Sequence, residues 1–270
     1  MNKILFIGCG HMGSALLSSW YLKTNNIFSV VDPKNYRKLK KYYKKRFTAH
    51  KSLEGINNLK EFDIILFAVK PQIAEKVLFK FSKFKYKKNV LFLSIIAGKN
   101  ISFFNKYLQN NIQFIRVMPN MPTLISMGMS CLVSNNFTTS RNKNFATSLF
   151  KKVGEVLWFK EEKKLDQVTA ISGSGPAYYS LFIDNLQKAA IKIGFNKKDA
   201  KKLVMQTALG SVNLLLNSNQ NAEQMTKSIA IKGGTTESAI KIFDKNNQLK
   251  NIIEKAVKAA YRRSIQLGKK

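Results

Sequence analysis

The sequence predicts a two-part α/β protein: a parallel sheet wound on both sides by helices over residues 1–160, then an all-helical segment over residues 161–270. Three observations predict it. An apolar run, Ile4-Leu5-Phe6-Ile7, leads straight into Gly8-Cys9-Gly10-His11-Met12-Gly13. Apolar runs of strand length then alternate with helical patterns as far as Phe159. Beyond Glu161 only helical periods remain. Strand and helix in alternation make βαβ units, and these build a parallel sheet.

The first element is a strand, residues 4–7, and the second a helix, residues 14–22. Between them the order strand, tight turn, helix gives G-x-G-x-x-G its meaning: it marks a Rossmann-type dinucleotide-binding domain. Gly8 lets the chain turn, Gly10 lets a pyrophosphate approach the backbone, and Gly13 lets the helix pack on the strand. Free N–H groups at the helix start, with the helix dipole, favour the phosphates. A second strand, Ile27-Phe28-Ser29-Val30-Val31, ends in Asp32, placed to accept from the adenosine ribose hydroxyls. Residues 62–69 and 89–96 are apolar throughout, as in strands covered on both faces. They end in Lys70-Pro71 and Ala97-Gly98, and the first leads into a helix over residues 72–84. A strand over 112–117 ends in Met118-Pro119-Asn120-Met121-Pro122, and strands over 128–134 and 154–159 flank a helix over 138–152. Ligands on such sheets sit at the carboxyl ends of strands, which marks Val69-Lys70-Pro71, Ala97-Gly98 and Pro119-Asn120.

Composition bounds the function. Of 270 residues 45% are hydrophobic, enough for a full core. No apolar run approaches the ~20 residues of a membrane span, and the apolar start is too short for a signal peptide, so a cytoplasmic protein is expected. Two cysteines, Cys9 and Cys131, lack any motif spacing, so neither a disulfide framework nor a metal site is expected. Lys+Arg number 46 against 15 Asp+Glu, a formal charge of +31. Only six of these cations are Arg, the residue favoured for bidentate phosphate and base contacts, and no nucleic-acid module is recognisable. The excess reads as lysine on solvated faces, densest over residues 38–46, that attracts small anions rather than nucleic acid.

In the second half, helices are expected over residues 177–193, 199–216, 222–229, 235–243 and 249–267. Leu203-Val204-Met205, Leu209, Val212 and Leu214-Leu215-Leu216 leave one helix apolar nearly all round, so it must be buried, in part against another subunit. Two loops stand out. Ala170-Ile171-Ser172-Gly173-Ser174-Gly175-Pro176 and Ile231-Lys232-Gly233-Gly234-Thr235-Thr236 each open a helix. Either they are ligand cradles of convergent N–H groups, with Gly233 and Gly234 aiming at one carboxylate, or they are capping loops.

These residues resemble one family, the pyrroline-5-carboxylate reductases, over nearly the whole length. The resemblance rests on residues 7–13, on Ala68-Val69-Lys70-Pro71-Gln72 and on Arg116-Val117-Met118-Pro119-Asn120-Met121-Pro122. Its most specific parts are Asp166 to Tyr178, with Ser172-Gly173-Ser174-Gly175-Pro176-Ala177-Tyr178, and Gly233-Gly234-Thr235-Thr236; Ala259-Ala260-Tyr261-Arg262-Arg263 also fits. The resemblance implies a Rossmann domain followed by an all-α dimerisation domain, in dimers that can assemble into decamers. It implies reduction of the cyclic imine of 1-pyrroline-5-carboxylate to L-proline by hydride from NADPH or NADH, with orientation rather than acid–base chemistry as the protein's task.

By the same resemblance, Ile7, Gly8, Cys9, Gly10, His11, Met12, Gly13, Asp32, Lys34, Lys51, Ala68, Val69, Lys70, Pro71, Ala97, Gly98 and Asn120 are the cofactor-binding set. Gly233, Gly234 and Thr235 would cradle the substrate carboxylate, Thr236 would hydrogen-bond the ring nitrogen as the nearest thing to a catalytic residue, and Asn219 and Ser228 would line the pocket. Asp32 favours NADH while Lys34, Arg37, Lys38 and Lys51 could admit NADPH, so dual use with NADH preferred is expected. The chain departs from the family pattern at Ile231-Lys232, where Ser-Pro is usual, at Met121, where Thr is common, and at Asp32-Pro33, where NADP-preferring relatives have a polar–Arg pair. The alternatives are a β-hydroxyacid dehydrogenase, whose catalytic Lys is not evident after Gly175, and a nucleotide-binding regulator without catalysis.

Overall fold

The structure is a computed structural model that describes residues 1–269. Its contacts divide the chain into two units, Met1–Ser174 together with the chain from Ala260 onward, and the stretch between, Gly175–Ala259.

The first unit opens β1 (Lys3–Ile7), α1 (His11–Lys23), β2 (Ile27–Val31), α2 (Tyr36–Tyr42) and β3 (Phe47–His50). It continues with β4 (Ile64–Phe67), α3 (Pro71–Phe81), β5 (Leu91–Ser94), α4 (Ile101–Asn105) and β6 (Gln113–Met118). β7 (Gly128–Ser134), α5 (Ser140–Lys151), β8 (Gly154–Trp158) and α6 (Lys164–Val168) follow. One sheet of eight strands runs in the order β3-β2-β1-β4-β5-β6-β7-β8. Every neighbouring pair is parallel except β6 and β7. The expected parallel sheet therefore carries one antiparallel step. Only a single 3-10 turn, Met121–Ile125, joins β6 to β7, and a parallel return needs a crossover of a dozen or more residues. β3 was not expected; Phe47–His50 is short and partly exposed, and it exists by pairing with β2.

Alternate residues feed opposite faces of the sheet. Ile4, Phe6, Val30, Leu66 and Leu93 pack with Leu16, Trp20 and Phe150 on one side. Leu5, Ile7, Phe67 and Phe92 pack with Ala74, Leu78, Phe81 and Phe104 on the other. Because strand order runs outward in both directions from the β1–β4 pair, that pair is the topological switch point, where a crevice opens at the strand ends.

The first unit extends beyond residue 160 for two reasons. Leu165 and Val168 of α6 bury themselves against Cys131 and Val133 of β7. Glu162 Oε1 accepts from the Ile101 N–H at 2.8 Å and pairs with the buried Arg116 guanidinium at 3.1 Å. The sequence after Ala260 also returns to this unit: Ser264 Oγ, itself buried, donates to Asp166 Oδ1 at 2.7 Å.

The second unit holds α7 (Gly175–Lys192), α8 (Lys197–Leu216), α9 (Ala222–Ile229), α10 (Thr235–Asp244) and the first part of α11 (Gln248–Lys269). Within it only Gly175, Ala200 and Val204 are buried, while Tyr179, Leu181, Phe182, Leu209, Val212 and Ile242 are more than half exposed. A helical unit with so little interior cannot hold itself together by its own core.

Candidate active site

In the first unit, the glycine loop sits at the switch point between β1 and β4. Gly8 has φ +91°, and a Cβ there would lie 2.6 Å from Val69 Cγ1 and 2.8 Å from the Ala68 carbonyl oxygen. Gly8 is therefore required both by its backbone and by the closeness of the β4 loop. A Cβ on Gly13 would press at 3.3 Å on Ala68 Cβ and on the Gly8 oxygen, so α1 packs tightly over the turn. Gly10 differs: a Cβ there would meet nothing within 4 Å. The fold does not need glycine at this position. The open space lies at the N-cap of α1, which has no side-chain cap. Bare N–H groups, a helix dipole and an empty approach fit a dinucleotide pyrophosphate.

Asp32 is where the structure corrects the sequence reading. Its carboxylate is buried and turned inward. Oδ2 accepts from the Cys9 N–H at 2.8 Å and from Asn35 Nδ2 at 3.2 Å, while Oδ1 accepts from the N–H groups of Lys34 and Asn35, both at 2.9 Å. Four hydrogen bonds fill the roughly four lone-pair positions of a carboxylate. None is left for a ribose hydroxyl. Asp32 instead fastens the glycine loop to the end of β2, and Asn35 closes the clasp by donating to the Cys9 carbonyl at 3.0 Å. The sequence does carry the signal: an Asp followed by Pro that bonds its own backbone two and three residues on is an Asx turn.

The remaining cofactor-set residues fall as follows. Ile7 ends β1; Cys9 is buried in the loop; His11 and Met12 open α1. Ala68, Val69 and Lys70 bridge β4 to α3, whose first residue is Pro71. Lys34 and Lys51 are exposed, and Lys51 Nζ stands 5.7 Å from the centre of the Tyr36 ring. Two residues of the set are also tied to other parts of the fold. Gly98, φ +75°, is glycine because a Cβ would come within 3.0 Å of the Leu267–Gly268 backbone of α11. Asn120 spends its carboxamide internally, accepting from the Met129 N–H at 2.8 Å and donating to the Ser172 carbonyl at 3.0 Å. The fold by itself accounts for the residue type at both positions. Burial pushes the Cys9 thiol up to about 12, with the Asp32 charge adding to it, so it stays protonated and inert.

The substrate set lies in the second unit. Gly233 has φ +77°, and Gly234 caps α10, with Thr235 and Thr236 as its first residues. The two glycine N–H groups do not converge as expected. That of Gly234 donates to the Ile231 carbonyl at 3.0 Å, and that of Gly233 to Glu237 Oε2 at 2.9 Å. Because Gly234 offers no side chain as a cap, the first N–H groups of α10, those of Thr235 and Thr236 among them, receive no side-chain acceptor from the N-cap. Asn219 lies exposed between α8 and α9, and Ser228 Oγ donates to the Met225 carbonyl at 2.9 Å. Sequence reasoning missed Glu237, although a Glu at the third position of a helix is a standard capping signal.

The two halves of the chain match different family models. Residues 3–98 match "NADP oxidoreductase coenzyme F420-dependent", and residues 162–267 match "Pyrroline-5-carboxylate reductase dimerisation". Pyrroline-5-carboxylate reductase of Vibrio alginolyticus is 35% identical, covering 99% of this chain and 98% of its own length. The chain belongs to the pyrroline-5-carboxylate reductase family. Reductases of Haemophilus influenzae and of Bacillus subtilis (its reductase 2) are each 31% identical over 98–99% of the chain. Two solved family structures match over nearly the whole chain. Plasmodium falciparum pyrroline carboxylate reductase with NADP bound gives a TM-score of 0.84 at 32% identity, covering 99% of this chain and 98% of that one. The Coxiella burnetii reductase gives 0.88 at 30% identity, covering 100% and 99%. The reductase-family dimerisation match takes in α6 to α11, which includes the unit that lacks an interior of its own. No helix among the described residues is long and apolar enough to cross a membrane.

Proposed function

We propose that this chain reduces 1-pyrroline-5-carboxylate to L-proline with NADPH or NADH, the last step of proline biosynthesis. The full-length match to reductases of this name, spanning both units, carries the reading. The dinucleotide, when bound, supplies a hydride to the imine carbon. The chain's own residues bind and orient. N–H groups at the start of α1 hold the pyrophosphate over Gly10, and residues 68–71 line the adjoining strand end. In the second unit the N–H groups of Thr235 and Thr236 hold the substrate carboxylate, and the Thr236 hydroxyl bonds the ring nitrogen. Asn219 and Ser228 border that pocket. The imine nitrogen takes its proton from solvent, so no buried acid–base pair is required of the protein.

The working form is a homodimer through the helices of residues 161–270, able to build higher assemblies such as a decamer, in the cytoplasm. The exposed apolar faces of α7 and α8 support this, since a second copy would give them the core they lack. Nicotinamide absorbance followed with pyrroline-5-carboxylate, and separately with 3-hydroxyisobutyrate, tests the activity. Turnover of the hydroxyacid alone would make the chain a β-hydroxyacid dehydrogenase, and turnover of neither a regulator. A monomeric species in light scattering would overturn the assembly.

A further inference from the structure

The loop before α10 is held by a carboxylate of its own. Gly233 and Gly234 give the chain more conformational freedom to lose than any other pair of residues would. Ile231-Lys232 stand before them, and neither residue locks its φ as a proline would. What restrains the loop is its hydrogen bonds. The Gly234 N–H closes a turn onto the Ile231 carbonyl. The Gly233 N–H, in a left-handed residue, reaches forward to Glu237 Oε2 at 2.9 Å. The other oxygen, Oε1, pairs with Lys241 one turn further along at 3.1 Å. Glu237 therefore spans the loop and the helix, and Lys241 offsets its charge beside the helix start where an anion is to bind. The carboxyl sits below its ordinary range, first because of the Gly233 N–H and then because of Lys241.

We propose that Glu237 is a positioning residue: by clamping the Gly233 N–H it fixes the Gly-Gly turn so that the N–H groups of Thr235 and Thr236 stand ready for the substrate carboxylate. The inference rests on the reading that α10 begins the substrate site. Glu237 touches neither substrate nor cofactor. Its contribution is pre-organisation, which acts on binding of the imine and leaves the hydride step alone.

The test uses the full chain, saturating dinucleotide and varied pyrroline-5-carboxylate. Glu237→Ala should raise KM for the imine by about tenfold, with kcat within about twofold and KM for the dinucleotide unchanged. Glu237→Gln keeps an acceptor for the Gly233 N–H and should restore KM to within about threefold of the parent. Hydrogen exchange of a peptide covering residues 230–236 should quicken in Glu237→Ala and not in Glu237→Gln. An unchanged or lowered KM in Glu237→Ala, a loss confined to kcat, or a Glu237→Gln enzyme as impaired as Glu237→Ala overturns the clamp. Thr236→Ala serves as the control. If it is impaired while Glu237→Ala is not, only the clamp fails; if Thr236→Ala and Glu237→Ala are both kinetically silent, the substrate site itself is misplaced and both readings fall.

Discussion

Asp32 Oδ2 accepts the Cys9 N–H at 2.8 Å, which couples the end of β2 to the glycine loop after β1. An acidic residue at the end of this strand ordinarily argues for NADH. Here the carboxylate is fully engaged within the protein, so it neither holds a ribose hydroxyl nor stands free to repel a 2′-phosphate at contact distance. The exposed cations Lys34 and Lys51, expected at the adenosine end, then favour that phosphate, and the balance turns toward NADPH. We expect wild type to favour NADPH by about tenfold or more, ~1.4 kcal/mol. Asp32→Ala should weaken NADPH and NADH alike, as loss of a loop clasp would, and Lys51→Ala should weaken NADPH only. Fluorescence titration of both dinucleotides decides it; an NADH preference abolished by Asp32→Ala would restore the ribose contact.

Gly8 and Gly10 should respond in opposite ways to added bulk. Gly10→Val meets open space and should fold as the parent does while losing dinucleotide binding. Gly8→Ala forces a Cβ into Val69 and the Ala68 carbonyl at a left-handed φ and should lower thermal stability outright. Melting curves with and without NADPH separate the two. Normal NADPH affinity in Gly10→Val would remove the phosphate-loop assignment.

Thr236→Ala should cost about 1–3 kcal/mol of transition-state stabilisation, a loss of one hydrogen bond to the reacting ring. The fall should appear in kcat, with dinucleotide binding unchanged. Full activity in this variant would show that the hydroxyl takes no part.

Arg116 and Glu162 join β6 to the segment ahead of α6, with Arg116 almost wholly buried. Glu162→Ala strands the guanidinium and leaves the Ile101 N–H without its acceptor. Because Glu162 is itself partly open to water, we expect a loss of about 2–4 kcal/mol, toward the lower part of the range for broken buried pairs. Denaturant unfolding measures it, and a change below about 0.5 kcal/mol would show the pair to be solvent-screened.

Cys9 and Cys131 should be silent toward thiol reagents in the folded protein. Burial pushes Cys9 up to about 12 and Cys131 to about 11, so thiolate is scarce at neutral pH. Both should react on unfolding. Rapid labelling of Cys9 in the native state would mean that the glycine loop opens readily.

The alternating strands, the glycine loop and the helical second half were legible in the sequence because their causes are local. A two-residue apolar period, a turn that needs glycine and a change of period each act over a few positions. The turn at Gly8 and the close packing at Gly13 were legible for the same reason. The position of Thr235 and Thr236 at a helix start was legible too. What the sequence could not determine is how polar groups far apart, or free to choose, are finally paired. Asp32 could have faced a ribose or the Cys9 N–H; folding brought the loop within reach and filled every lone pair. Gly233 and Gly234 could have aimed both N–H groups outward; Ile231 and Glu237 took them first. Gly98 and Asn120 gain partners within the fold that no local pattern announces, α11 for one and the Ser172 carbonyl for the other. β7 runs antiparallel because its link from β6 is too short to cross the sheet. In each case the residue type fixed what bonds were possible, and only the tertiary structure, by placing competitors at hydrogen-bond distance, decided which were made.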